Sequence, residues 1–489
     1  MSSQIVLKAL QAPEAIAGVA AVIALFVIRV WFISREKKIE DSPVLGNPGE
    51  PAFGDALEAG YQKFKDSTFT IPTAHHSMVI VPTRFLNEIK NQPENILSFQ
   101  KQVSERFIGK YTGLGVNDTL VHSVKIDLTK NIVRILGELQ EEVDFAVSQH
   151  IGDCKDWKPV RLYPTLSALV ALLSGRIFVG LPLNRNPDWI NATLSYTIDG
   201  FVGSDKLWKY PRFLHPFARY AIPEIRKVHT MLKPIMDERR RRMESEDGYK
   251  PPQDMVQWII DNSSPENAKD VHYVSKTQML ISVVAIHTTS MTMAQAVFDL
   301  TSHPEYIQPL RDEVEEVRKK HGNVWTKASV AGLRKMDSFL KESQRFRPPG
   351  LVTMNRRCEV DVKLSNGLVL PKGTHIGVAA GANALDESLF ENASEFDGFR
   401  FERLRSQPGN EAKYQFVTTN DTDQLHWGVG SHACPGRFFA SYEIKMLLAK
   451  ILTDYDIMLK PGDKRPQDIA RDIRVIPNPA AEIMFRNRS

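Results

Sequence analysis

Three cysteines, Cys154, Cys358 and Cys434, are too few to staple a chain of 489 residues with disulfides. A cysteine that matters here is a ligand or a nucleophile, and Cys434 has the surroundings for either role. The stretch from Trp427 to Gly436 reads Trp-Gly-Val-Gly-Ser-His-Ala-Cys-Pro-Gly. Past Pro435 and Gly436 a strong helical pattern begins at Arg437, Phe438, Ala440 and Tyr442. The sulfur therefore sits at a helix N-terminus, where the partial positive charge favours a thiolate and unpaired first-turn N–H groups can donate to it. Gly430 and Gly436 are expected to take positive φ where needed and to let the loop lie close to a flat ligand. A thiolate on haem iron pushes electron density toward O2 and favours O–O cleavage.

Other residues could serve the same chemistry. Ala285-Ile286-His287-Thr288-Thr289-Ser290 places three consecutive hydroxyls in an apolar helix. That costs helix propensity, because the hydroxyls compete for the carbonyls one turn back. Glu342 and Arg345 stand at i, i+3 on one helix face. Arg356 and Arg357 offer guanidinium forks suited to a carboxylate.

These groups need elements to position them. Helical periodicity runs over Asn131–Gly152, Val271–Ser302, Pro304–His321 and Met336–Arg345, and from about Pro435 to Tyr455. Short strands are expected between Val352 and Ala379, around the turns Ser365-Asn366-Gly367 and Pro371-Lys372-Gly373. The chain thus reads as mainly α, of α+β type, with a small sheet confined largely to Val352–Ala379. The arginine run Arg239–Arg242, flanked by acids, reads as a solvated helix end.

Lys+Arg 62 against Asp+Glu 58 gives a net charge of +4, too balanced for a nucleic-acid binder. Ala15 to Ile33 is apolar with a single charge, Arg29, and as a helix would span roughly 28 Å, a bilayer core. Trp31 suits an interfacial anchor, and Arg35, Lys37 and Lys38 keep the following chain cytosolic by the positive-inside rule. A cleaved signal peptide fits less well, since the segment after the apolar run lacks small residues for cleavage. The expected organisation is a short lumenal 1–14, a single transmembrane anchor 15–33, a basic, then Pro/Gly-rich linker 34–54 and a catalytic domain 55–489.

The cysteine loop resembles that of the cytochrome P-450 superfamily, whose pattern is aromatic-x-x-Gly-x-basic-x-Cys-x-Gly, with Trp427 for the usual Phe and His432 for the usual Arg. Glu342-x-x-Arg345 lies some ninety residues before Cys434, as the family's E-x-x-R does. Phe396-Asp397-Gly398-Phe399-Arg400-Phe401 is similar to its F-x-P-x-R-F element. The resemblance implies the cytochrome P-450 fold and haem b on Cys434. It implies a buried triad of Glu342, Arg345 and Arg400 and a haem-propionate contact from Arg356, with Arg357 the competing neighbour. Trp427 is expected to pack by the sulfur, with an N–H able to donate to it, and Lys125 to reach a propionate. On the same template Thr289 is the alcohol that hydrogen-bonds O2 and guides protons. The usual acid is replaced by Thr288 and the second glycine by Ile286, leaving His287, Thr288 and water as carriers.

The resemblance further implies electrons from NADPH through NADPH–cytochrome P-450 reductase, with cytochrome b5 as a second donor. Arg437, Lys445 and Lys450 are expected in its docking patch. The expected location is the endoplasmic reticulum membrane, and the expected substrate is lipophilic. The aromatic-rich Phe201–Ile222 is expected to form the lid and access channel. Details of the motifs look like fungal enzymes of secondary metabolism that oxidise terpenoid or indole-terpenoid skeletons. The missing acid leaves an isomerase or lyase working without reductase as a second reading, and a non-enzymatic haem protein as a third.

Overall fold

The computed structural model describes residues 42–46, 53–210, 215–216 and 224–488. The expected anchor 15–33 and the lid residues Phe213, Phe217 and Tyr220 lie outside the described residues. The described end of the linker is tied to the sheet: Val44 forms a parallel bridge to Thr70, and the Leu45 N–H donates to Thr70 O at 2.9 Å.

The helices that frame the site are α1 (Phe99–Arg106), α2 (Thr129–His150), α3 (Leu162–Phe178), α4 (Pro187–Leu207), α5 (Val271–Ser302), α6 (Arg334–Phe346) and α7 (Arg437–Asp454). Several begin or end for a visible physical reason. Asp270 caps α5 by accepting from the His272 N–H at 2.8 Å, and Pro304 follows its end. Asn186 caps α4, with Pro187 at its first position. Among the described residues α5 is the one helix long and apolar enough to cross a membrane, but 72% of its most apolar window is buried in the protein. It crosses the centre of the fold, packed on α3 and α4, with Phe298, Val297 and Met293 inaccessible to solvent. The core around α2, α3, α5 and α7 is continuous.

Sheet structure extends beyond Val352–Ala379. The main sheet recruits Phe69–Pro72 (β1), Ser77–Ile80 (β2) and Leu97–Ser98 (β3) to Thr353–Cys358 (β5) and His375–Val378 (β8), in the order β1-β2-β8-β5-β3. Lys158–Arg161 (β4) and Tyr455–Met458 (β9) flank Glu482–Asn487 (β12) in a second sheet. These strands are two to six residues long, too short for a period-2 pattern to stand out in sequence. Two hairpins complete the set, Val362–Lys363 (β6) with Val369–Leu370 (β7), and Ile469–Arg471 (β10) with Arg474–Ile476 (β11).

The arginine run also differs from expectation. Arg241 and Arg242 are solvated and pair along their own helix with Glu238 and Glu246. Arg239 instead is buried and forms a two-pronged bond to Asp254, at 2.9 and 2.5 Å. Helix periodicity turns this one member of the run toward the core.

Candidate active site

The cysteine loop is held from three sides. The Cys434 N–H donates to Trp427 O at 2.7 Å, closing the loop on itself. The Ser431 N–H donates to Asn91 Oδ1 at 2.9 Å, and a ring nitrogen of His432 lies 3.2 Å from Gln92 O. The Val429 N–H points at Met354 Sδ from 3.4 Å. Gly430, at φ +73°, is required by this clamp: a Cβ there would lie 2.7 Å from both Lys90 O and Asn91 Oδ1. Gly428 is the second left-handed position, at φ +69°. Gly436 is not one, and an added Cβ there would meet only Val124, at 3.7 Å. The protein's own packing therefore does not demand Gly436.

The Trp427 indole N–H does not face the sulfur. It donates to Phe416 O at 2.8 Å, and the two rings meet edge to face at 5.4 Å. Trp427 thereby anchors the loop to the 416 segment. The sulfur receives backbone N–H groups from Gly436 and Arg437, the first turn of α7. Burial pushes the Cys434 thiol up, while those two N–H groups and the Arg437 guanidinium pull it down. Burial wins that balance, so a bound cation is what would complete ionisation.

Arg356 is 3% exposed, stacks over Phe99, and donates one bond, to Asn355 O at 2.7 Å. Its Nε and Nη2 are buried without partners. Burying a guanidinium half-satisfied is costly unless an anion completes it. Arg357 is already committed, to Glu105 at 2.7 Å and Glu359 at 2.5 Å. Strand alternation separates the two arginines: along β5 the buried side carries Met354, Arg356 and Cys358, while Arg357 lies on the other. A register shift between Thr353 and Arg356 precedes them, with Met354 at φ +55° inside it. Burial, then the charges of Arg356 and Lys125, hold His432 below the usual histidine range against the opposing pull of Glu94, 3.7 Å away, so a neutral ring stands beside two cations and one acid. Lys125 is exposed and lies in a π-helical stretch, Ser123–Leu128, which leads into α2. A buried guanidinium with two idle nitrogens, the neighbouring His432 ring and a sulfur facing two N–H groups fit a flat, carboxylate-bearing iron porphyrin.

On α5 the three candidate polar residues point different ways. Thr288 is exposed and its hydroxyl donates back to Val284 O at 2.6 Å. Ser290 and Thr292 also bond back along the helix. Thr289 is 3% exposed, and its hydroxyl has no hydrogen-bond partner among the described residues. His287 turns toward α4, where the Leu194 carbonyl is its partner, and burial lowers its pKa to about 4. It is a neutral ring facing away from Thr289, since positions two apart on a helix project from nearly opposite sides.

Behind the loop, Glu342 accepts from Arg345 at 2.8 and 2.9 Å and from Arg400 at 3.2 Å. Arg345 also donates to Ala384 O and Ala393 O, and Arg400 to Asn392 O and Glu395 O. All three side chains are buried, and nearly every donor is used. The expected docking patch needs a correction. Lys445 is 4% exposed and paired with Asp337, so it cannot contribute to a surface. Lys450 is shared between Asp144 and Asp454. Sequence reasoning missed Met354, Asn91 and Gln92; a left-handed methionine and a clamp from a distant loop leave no local signature.

The fold, the thiol at the head of α7 and the buried triad are the features that the cysteine-loop resemblance implies for a haem enzyme. The cytochrome P-450 family model matches residues 173–485. Cytochrome P-450 monooxygenase BOA4 of Botryotinia fuckeliana is 43% identical over 94% of this chain and 93% of its own length. Cytochrome P-450 monooxygenase prx8 of Penicillium rubens is 38% identical over 89% of this chain and 83% of its own. Cytochrome P-450 monooxygenase ascG of Acremonium egyptiacum is 35% identical over 98% and 96%. The chain belongs to the cytochrome P-450 family and is a monooxygenase, a family whose cofactor is haem.

Proposed function

We propose that Cys434 ligates the iron of haem b, with Arg356, His432 and Lys125 holding its carboxylates, and that the enzyme oxidises a lipophilic small molecule of fungal secondary metabolism, of terpenoid or indole-terpenoid type. The observation that carries this reading is the Cys434 sulfur facing the Gly436 and Arg437 N–H groups while two nitrogens of the buried Arg356 lack partners. When bound, the haem supplies O2 activation and oxygen insertion. The chain's own residues do the rest. The first turn of α7 stabilises negative charge on sulfur, and Trp427 fixes the loop through Phe416. Gly436 offers no side chain that would block a flat ring.

Thr289 holds a hydroxyl free to pass a proton, because its bond to the carbonyl one turn back is not made. Thr288 stands where the acid is expected and is tied to Val284. Protons therefore reach Thr289 through water rather than a carboxylate. Electrons are taken from NADPH through NADPH–cytochrome P-450 reductase, with cytochrome b5 as a second donor. Residues 15–33 anchor the enzyme in the endoplasmic reticulum membrane, residues 34–54 link, and residues 55–489 catalyse on the cytosolic side.

The test is the ferrous–carbon monoxide spectrum of the purified full chain. A thiolate-type Soret band is expected, and Cys434→Ser should abolish it along with substrate-dependent consumption of NADPH and O2. A Cys434→Ser protein that keeps both would sink the proposal.

A further inference from the structure

Four separate segments close on the C-terminal end of α4. The side chain of Asp205 is shared by His75, at 3.1 Å, and Arg471, at 2.5 Å. Trp208 stacks on His75 with centroids 5.0 Å apart, and its indole N–H donates to Arg106 O at 2.8 Å. Arg106 in turn pairs with Asp472 at 2.7 Å. Around this ring stand the half-buried His76, its ring tilted against that of His375 with centroids 4.0 Å apart, and Glu105, which already serves Arg357. Two carboxylates, Asp205 and Asp472, thus face three guanidiniums: Arg106, Arg471 and Arg474. The first two are paired.

Arg474 is the one left over. Its side chain makes no hydrogen bond or ion pair with any described residue, Asp205 and Asp472 attracting it only from a distance; its Nε is buried, and its guanidinium lies 5.1 Å from the Phe201 ring centroid. Its backbone bridges to Gly350, at the start of the segment that leads into β5 and Arg356. The wall beside it is apolar. Phe201 packs on Phe107 at 4.9 Å, and Ile198 and Val202, one turn apart on α4, are 57% and 38% exposed. Helix spacing puts Ile198, Phe201, Asp205 and Trp208 along one side of α4. An apolar face ending in one unpaired cation is complementary to an amphiphile with an acidic end.

We propose that Arg474 is a specificity determinant that pairs with a carboxylate on an otherwise apolar substrate, the α4 face receiving its hydrocarbon body. This deepens the monooxygenase reading and rests on it. The probes are dodecanoate and 1-dodecanol, which share a chain and differ in charge. Each is titrated into the haem-loaded full-length protein and followed by the substrate-induced spin shift.

Dodecanoate is expected to bind more tightly than the alcohol, by roughly tenfold for one charge-assisted bond. Arg474→Gln should erase that difference, and Arg474→Lys should keep part of it. Equal binding of the two probes, or an unchanged preference in Arg474→Gln, overturns the proposal. So does an Arg474 effect confined to binding of phosphatidylglycerol vesicles, which would assign the guanidinium to the lipid surface. The carbon monoxide band is recorded on the same samples. Its presence with no carboxylate preference fells this inference alone, and its absence fells the monooxygenase site.

Discussion

At the scale of single residues, the site depends on groups that the protein leaves unsatisfied. Arg356 is the clearest, buried with two idle nitrogens. Replacing it with methionine removes a desolvated charge that one hydrogen bond, the Phe99 ring and the more distant Glu94 compensate only in part. The haem-free protein should therefore melt no lower than wild type, while haem is lost more readily on gel filtration. An apoprotein destabilised by several kcal/mol would show that Arg356 serves the fold. Thr289 is the second case, the hydroxyl not spent on its own helix. Thr289→Ala should keep the carbon monoxide band but lower product formed per NADPH consumed by about tenfold or more, as loss of a positioned proton donor does. Unchanged coupling would remove Thr289 from the proton path.

At the scale of elements, the E-x-x-R helix illustrates how a surface-like motif becomes interior. Glu and Arg three apart on a helix are ordinarily a solvated pair worth a few tenths of a kcal/mol. Here α6 is buried over most of its length, and Arg400 arrives from a separate helix, Arg400–Arg405. Glu342 then serves two buried guanidiniums, and its Oε1 also accepts the Asp397 N–H at 3.0 Å. Glu342→Gln leaves both buried guanidiniums without the carboxylate they share and should destabilise the protein by about 3–5 kcal/mol. The check is chemical denaturation of the variant, with Glu342→Asp as a milder comparison. A shift below about 1 kcal/mol would mean the triad is not desolvated as its burial indicates.

At the scale of the whole molecule, the central core carries an acid. Glu443 on α7 is 1% exposed, accepts from Ser174 on α3 at 2.8 Å, and its other oxygen has no partner. Burial raises its pKa to about 8. The folded protein thus holds a proton that the unfolded chain releases near the ordinary carboxylate pKa. Stability from this group is full below that ordinary value and is lost as pH rises toward 8. Glu443→Gln, which keeps an acceptor for Ser174 and cannot ionise, should match wild type near pH 5 and melt higher near pH 8. Melting curves at the two pH values decide it, and an unchanged difference between the proteins would place no proton on Glu443.

Much of this was legible from residue order alone. Local chemistry marked Cys434, the loop glycine Gly430 and the long helices, because a helix carries its periodicity and its stops within its own sequence. The limits of Val271–Ser302 follow from Asp270 and Pro304. What needed the tertiary structure were pairings between distant segments. Some short strands form only beside partners hundreds of residues away, as β2 does with β8 and β4 with β12. Which of Arg356 and Arg357 is buried was set by the face of β5 that meets the interior, Trp427 was turned from the sulfur by Phe416, and Lys445 was drawn inside by Asp337. Each outcome was set by which group in a remote segment was close enough to bond, and nearness of that kind is created by folding.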